Sequence, residues 1–281
     1  MEKKVDIKLL KKLRNKSLVS FSLCKEALFV NNNNFDKAFE WLRMKGIADK
    51  AEGKKDQKNN EGICATFIQE NFAVLLKLSC KTDFVARNEI FRKFFFKLGE
   101  LVAKHQLIDK PKIEKLSFDS QTVKEKILEL TTQMGEKIDL EKITTLTKNN
   151  NHYFGFYNHN DYKSCSLVVL DQKIDFELRE DLAMHIVAMK PSFIDLESID
   201  TDFYNQEKNI IINQVKKKID KDKSLDLQEK IIQGKLNKHL KSLCILEQKF
   251  VKSPSETTRK YLYNKNKDVK IIGMSLLTVG N

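Results

Sequence analysis

The residues best placed to act on another molecule are Thr82-Asp83-Phe84-Val85-Ala86-Arg87-Asn88, where an acid and a large aromatic stand side by side. The preceding run Val74-Leu75-Leu76-Lys77-Leu78-Ser79-Cys80 reads as a buried strand, and Phe91, Phe94, Phe95, Leu98, Leu101 and Val102 recur at helical spacing after it. The heptapeptide is therefore a strand-to-helix corner, with a long helix expected from about Phe84 to Ala103. Thr82 or Asp83 is the expected N-cap, its side-chain oxygen accepting from a free N–H of the first turn. An acid and a large aromatic at such a corner can probe another molecule. Phe84 has a second reading, because it precedes Phe91 by seven residues and would share its buried stripe on one continuous helix. Asp83 can equally be a cap alone, and Arg87 a solvated or ion-paired surface charge.

The rest of the chain offers no catalytic constellation. There is no Gly-rich phosphate loop, no G-x-S-x-G and no His-Glu-x-x-His, and the chain has only nine glycines. The five cysteines, Cys24, Cys64, Cys80, Cys165 and Cys244, are widely spaced without a C-x-x-C pair. They are expected as reduced, buried thiols of a cytoplasmic protein, with neither a zinc site nor a disulfide framework. His185 lies inside an apolar helical stripe and is expected as a satisfied core histidine. No catalytic residue, metal ligand set or cofactor is expected.

Apolar residues make up 41% and charged residues 32%, a balance that folds. No apolar run approaches the ~20 residues that cross a bilayer, and Met1-Glu2-Lys3-Lys4-Val5-Asp6 lacks the apolar stretch of a secretory signal. No membrane partner is expected. The charge of +12 is spread along the chain, so it argues only weakly for a dedicated nucleic-acid surface and would also suit an acidic protein.

The elements that hold the corner can be read in outline, and they predict an α+β fold. Residues 7 to 46 predict three short helices, marked by Ile7, Leu10 and Leu13, by Cys24, Ala27 and Leu28, and by Phe35, Ala38, Phe39 and Leu42. Asn34 can cap the third and Gly46 can end it, with Phe21, Phe35, Phe39 and Trp41 filling the small core. The polar stretch 51–60 reads as a linker. Beyond it, Ile63 to Ile68 and Val74 to Cys80 predict a hairpin leading into the Phe-rich helix, and Val123 to Met134 a further helix. Strands at Tyr153 to Tyr157 and Cys165 to Leu170, then a helix through Leu178, Leu182, Ile186 and Met189 that Pro191 stops, repeat the hairpin-plus-helix order. Residues 203–243 predict a helical hairpin bent at Asp220 to Lys223 and capped by Ser224. Ile212, Val215 and Ile219 face Ile232, Leu236, Leu240 and Leu243 across it, as in an antiparallel coiled coil. Lys270 to Thr278 returns as a strand to the second sheet. The expected domains are 1–50, a linker at 51–60, a core subdomain at 61–145 and a second at 146–281, with the helical hairpin inserted at about 200–243.

Cys80-Lys81-Thr82-Asp83-Phe84-Val85-Ala86-Arg87-Asn88 resembles the signature of elongation factor Ts, the guanine-nucleotide exchange factor of elongation factor Tu. Leu13-Arg14 with Cys24-Lys25-Glu26-Ala27-Leu28 falls where that family carries its first signature. His185, Lys190-Pro191, Gly234 to Leu243, Glu247-Gln248, Phe250-Val251 and Pro254 also match in order and spacing. The resemblance implies an N-terminal ubiquitin-associated-like domain and a core of two related subdomains. It also implies an exchange factor without covalent chemistry, whose partner is elongation factor Tu in its GDP-bound and nucleotide-free forms. Thr82, Asp83, Phe84 and Val85 would dislodge the partner's Mg²⁺, with Phe21, Lys25, Met134, Gly135 and His159 as further contacts. Met134-Gly135-Glu136 resembles the family's Ile-Gly-Glu block, and Tyr157-Asn158-His159 its Tyr-x-His hairpin. Departures occur at Ser17 to Phe21, where the family has a Gly-containing stretch, at Lys137 in place of Asn, and at Glu141 among positions often filled by Arg.

On its residues alone, Gly135 also reads as an ordinary left-handed helix terminus and His159 as a solvated loop histidine. A basic ribosome- or RNA-binding accessory protein is the alternative function, although no direct nucleic-acid contact is expected. Homo-oligomerisation is left open by the sequence.

Overall fold

The fold is that of a computed structural model describing residues 5–17, 21–42, 59–218 and 225–280. Leu18 to Ser20, Gly46, most of the 51–60 stretch and the Ile219 to Ser224 bend lie outside the described residues. The fold is α+β. The chain divides into two compact units, one of Met1–Leu146, Asn160–Ser164 and Leu277–Asn281, the other of Thr147–His159 and Cys165–Leu276. No helix among the described residues is long and apolar enough to cross a membrane.

The first unit opens with helices α1 (Ile7–Ser17), α2 (Phe21–Val30) and α3 (residues 35–42). Asp6 Oδ1 accepts from Lys8 N at 2.7 Å and Asn34 Oδ1 from Lys37 N at 3.0 Å, so α1 and α3 start on side-chain caps. Their core is Leu10, Leu13, Cys24, Ala27, Leu28, Ala38 and Leu42, and Phe35, Phe39 and Trp41 pack half-buried around it. Phe35, Phe39 and Trp41, predicted as core filling, thus sit at its margin. Ile7 is exposed rather than inside, one turn before Leu10.

Strands β1 (Glu61–Gln69) and β2 (Phe72–Cys80) pair antiparallel in register from Glu61↔Cys80 to Gln69↔Phe72. All of β2 is buried because it is the middle strand of a sheet ordered β1-β2-β5, where β5 is Asp139–Thr147. The sequence predicts the hairpin but not β5, whose Asp-Leu-Glu-Lys-Ile-Thr-Thr-Leu-Thr is too polar to read as a strand.

The stretch expected as one helix is two, α4 (Asp83–Arg87) and α5 (Glu89–Lys104). Buried Phe91, Phe94, Phe95, Leu98 and Val102 of α5 face the sheet. Phe67, Phe94, Phe95, Phe96, Phe118 and Tyr162 meet edge to face, with ring centroids 4.9 to 6.3 Å apart. Gly99 makes room for this: a Cβ there would lie 2.1 Å from Phe67 Cζ. Short α6 (Lys110–Glu114), β3 (Ser117–Phe118) and β4 (Gln121–Thr122) lead to α7 (Val123–Met134). Thr122 and Glu125 form a reciprocal capping box at its start.

In the second unit β6 (Tyr153–Asn158) pairs with β7 (Ser164–Leu170), and β10 (Ile271–Thr278) completes a sheet ordered β10-β7-β6, as the returning tail predicts. Helix α8 (Phe176–Met189) packs on β6 and ends at Lys190 in the left-handed region, one residue before Pro191. Helices α9 (Thr201–Lys218) and α10 (Leu225–Leu243) share a small core of Ile211, Val215, Leu236 and Leu240. Ile211, rather than the predicted Ile212, is the more deeply buried partner of Val215. His239 Nε2 lies 2.8 Å from Glu207 Oε2, joining the two arms. The unit closes with β8 (Lys249–Phe250), β9 (Ser253–Thr257) and α11 (Thr258–Lys265).

His185 is fully buried on α8, and its ring is satisfied on both sides. Val251 N donates to Nδ1 at 3.2 Å, so the proton sits on Nε2, which lies 3.1 Å from Gln248 Oε1. Gln248 is itself oriented by donating Nε2 to Ser242 O at 2.7 Å and Met189 O at 3.3 Å. Burial pushes the His185 pKa down, and the Gln248 bond offsets this only in part. Unfolded His185 takes up a proton near pH 6.5 while the folded ring stays neutral. The unfolded state then binds more protons, so this contribution to stability is full above about pH 6.5 and is lost as pH falls below it. Urea midpoints measured from pH 7.5 down to 5.5 are expected to fall less steeply in His185→Asn than in the parent protein.

Candidate functional site

The corner is built by a break. Asn88 has φ −63° and ψ 133°, outside helical geometry, and its Oδ1 accepts from Ile90 N at 2.9 Å and Phe91 N at 3.4 Å. An Asn side chain competes with the helix for these donors, so it ends α4 and caps α5 in one step. Phe84 is thereby uncoupled from the Phe91 stripe and is 83% exposed, which overturns its reading as core. Its neighbours hold it there: Val85 and Ala86 are buried in the same cluster as Phe91 and Phe95. Val85, expected among the contact residues, faces inward and anchors the turn. Asp83 Oδ2 lies 3.6 Å from Arg87 on the exposed side, a weak surface pair.

Thr82 is the N-cap of α4 by position, but neither its side chain nor that of Asp83 caps the first turn. The Thr82 hydroxyl instead donates to Glu136 Oε1 at 2.7 Å, and Thr82 N donates to Glu136 Oε2 at 2.9 Å. One carboxylate thus takes both donors of one residue across 54 positions of sequence. Cys80 Sγ donates to Thr82 O at 3.2 Å, its thiol pushed up to about 12 by burial first and by the Glu136 charge second, so it keeps its proton.

Glu136 is aimed by the end of α7. Gly135 has φ 73° and ψ 12° and donates N–H to Thr131 O at 3.0 Å, the left-handed C-cap read from sequence. Met134 packs half-buried against the core, and Gly135 is exposed. Asn59 Nδ2 bridges Ser79 Oγ at 3.2 Å and Lys137 O at 3.1 Å, and Ser79 Oγ donates to Asp139 O at 3.3 Å. The structure therefore brings the 82–85 and 134–136 blocks together. It also gives a reason for the acid at 141: Glu141 Oε1 lies 3.0 Å from Nζ of Lys77, a lysine in the buried middle strand that requires a counter-charge.

The remaining predicted contacts stand elsewhere. Lys25 is exposed on α2, and Phe21 opens that helix with its side chain outside the described set. His159 belongs to the second unit, exposed past β6, where its Nδ1 lies 3.2 Å from Tyr157 Oη. Among the described residues no group of His, Cys, Asp or Glu could hold a metal ion. Sequence reasoning missed the positioning roles of Asn88 and Glu136. Asn88-Glu89 ahead of an apolar stripe is a helix-start signal that was available, whereas the Thr82–Glu136 contact depends on tertiary structure alone.

Residues 81–281, which include the corner and the Gly135 turn, match the family model described as Elongation factor TS. Curated relatives agree. The chain is 35% identical to elongation factor Ts of Phytoplasma australiense over 95% of this chain and 96% of that protein. It is 36% identical to the protein of that name from Aster yellows witches'-broom phytoplasma, with the same coverage. The chain belongs to the elongation factor Ts family. Ureaplasma urealyticum supplies another relative of that name, 34% identical over 92% of this chain and 87% of its own length. Asn88→Ala removes the cap of α5 and is expected to cost about 1 kcal/mol of stability, read as a lower urea midpoint.

Proposed function

We propose that the protein binds elongation factor Tu·GDP, promotes GDP release by disturbing the partner's Mg²⁺ and phosphate site, and holds the nucleotide-free state until GTP enters. It does so without covalent chemistry, by binding one state of the partner more tightly than another. The single observation that carries this reading is Phe84, 83% exposed on a turn whose next two residues are buried. Lone exposed apolar residues are ordinary. A ring raised on an anchored, two-sided brace is suited to enter a crevice of another protein, and the family resemblance supplies that protein.

Phosphates of a bound nucleotide are held by backbone N–H groups at a helix N-terminus and by a Mg²⁺ that tolerates little distortion of its octahedron. A ring driven between neighbouring helices would shift those groups by the small distance that loosens both. Asp83 stands beside the ring with its carboxylate half exposed, ready to accept a hydrogen bond from the partner. Reversing a 1:99 population requires about 5.5 kcal/mol of differential affinity, while burying one Phe yields about 1.5–3 kcal/mol. Phe84 therefore shares the task, and we assign Met134, Gly135, His159, Lys25 and Phe21 to further contacts. Cytoplasmic translation is the setting this function requires.

Stopped-flow release of a fluorescent GDP analogue from elongation factor Tu tests the proposal. The parent protein is expected to accelerate release, and Phe84→Ala to lose about 2 kcal/mol of that effect, roughly thirtyfold in rate, with an unchanged melting temperature. An unaltered release rate in the presence of the parent protein would rule the function out.

A further inference from the structure

We infer that Glu136 is a positioning residue for exchange, its carboxylate fixing the corner that presents Phe84. The inference rests on the function proposed above and concerns the same site. Three observations converge on it. Glu136 accepts both donors that Thr82 possesses, at 2.7 and 2.9 Å, so it fixes the position and the orientation of the residue where β2 turns into α4. Thr82 makes no helix-capping bond, so its hydroxyl is committed to Glu136. Phe84 follows two residues later and, at 83% exposure, has little packing of its own to orient it. The direction of the ring is consequently inherited from backbone on either side: the Asn88 cap and the buried Val85 and Ala86 below, and the Thr82–Glu136 pair above.

The chemistry explains why an acid is required at 136. Two N–H or O–H donors converge there, and only an ionised carboxylate presents two acceptor oxygens in one plane. A Gln keeps one acceptor and turns an N–H toward the other donor. Bonds to an ionised acceptor are also the shorter and stronger class, which suits a brace that must hold against an approaching surface. The αL turn at Gly135 directs the side chain back toward β2, and Asn59, bridging Ser79 and Lys137, ties the same two segments a few residues away. The family's block at 134–136 then has two functions on one turn: exposed Gly135 for the partner, and Glu136 for the corner.

The test is a cycle of Glu136→Gln and Phe84→Ala in the full-length protein, read by GDP-analogue release over a range of factor concentrations. Glu136→Gln is expected to lower the maximal release rate about tenfold, to change the half-saturating concentration less than about twofold, and to raise amide hydrogen exchange at Thr82. In the Phe84→Ala background the same substitution is expected to cost less than about twofold, because the direction of the ring no longer matters once the ring is gone. If Glu136→Gln melts early, Thr82→Val replaces it, removing the hydroxyl bond while the N–H bond remains, and the same non-additivity with Phe84→Ala is required. Parental exchange rates in Glu136→Gln, or full additivity with Phe84→Ala, would overturn the inference alone. A parent protein that fails to accelerate release, or a Phe84→Ala variant that matches it, would overturn the functional reading and the inference with it.

Discussion

An exposed aromatic ring is useful to a binding protein only if its direction is decided before the partner arrives, and here that decision falls to hydrogen bonds and buried neighbours rather than to packing of the ring itself. A ring free to fold back onto the surface would bury apolar area and gain up to about 1.5–3 kcal/mol, so leaving Phe84 in water needs a backbone that prevents it. The constraint comes from two polar side chains. Asn88 stops the helix that would have carried the ring toward Phe91, and the Glu136 carboxylate fixes the residue from which the turn departs. Val85 and Ala86 are buried in the core beneath the turn.

Such a brace is effective because the surroundings are stiff. β2 is buried along its whole length and continues into the corner, so a load on the turn passes to the middle strand of the sheet. The edge-to-face rings around Phe95 and Phe96, closed over Gly99 by Phe67, lock α5 to the sheet behind it. Interiors packed at crystal-like density transmit displacement instead of absorbing it. The second unit follows the same logic with different groups: neutral His185, Gln248 and the backbone of Val251 hold α8 against the β8–β9 region through a buried polar network that leaves the ring satisfied on both sides.

Periodicity made much of this legible in the sequence. The apolar run of β2, the Phe stripe of α5, the returning C-terminal strand and the buried His185 follow from residue spacing, because burial of a long regular element leaves a repeating trace. The third strand β5 left no trace, since Asp139 to Thr147 alternates poorly and owes its place to pairing with β2. Phe84 was undecidable for a related reason. Seven residues from Phe91 is the correct spacing for one helix and meaningless for two, and the difference rests on a single Asn whose side chain competes with backbone donors. Thr82 invited the cap reading because local chemistry permits it, yet a carboxylate 54 residues away took both its donors. Local rules name the groups that need partners. Which partner wins depends on what the tertiary fold brings near.

The same reasoning bears on how a modest set of contacts could drive exchange. A single ring contributes about half or less of the roughly 5.5 kcal/mol that a population reversal demands, so the remainder must come from other contacts or from not losing binding energy to disorder. Ordering a free side chain or loop on binding costs about 0.5–1.5 kcal/mol per immobilised group. A corner whose Thr82, Val85, Ala86 and Asn88 are already fixed would avoid much of that cost, and in the proposed complex more of the ring's burial would then be available to distort the partner. On this view the polar residues behind the surface matter as much as the ring in front. They would add no contact, yet under the proposed exchange they would govern how much of each contact's energy reaches the partner's nucleotide site.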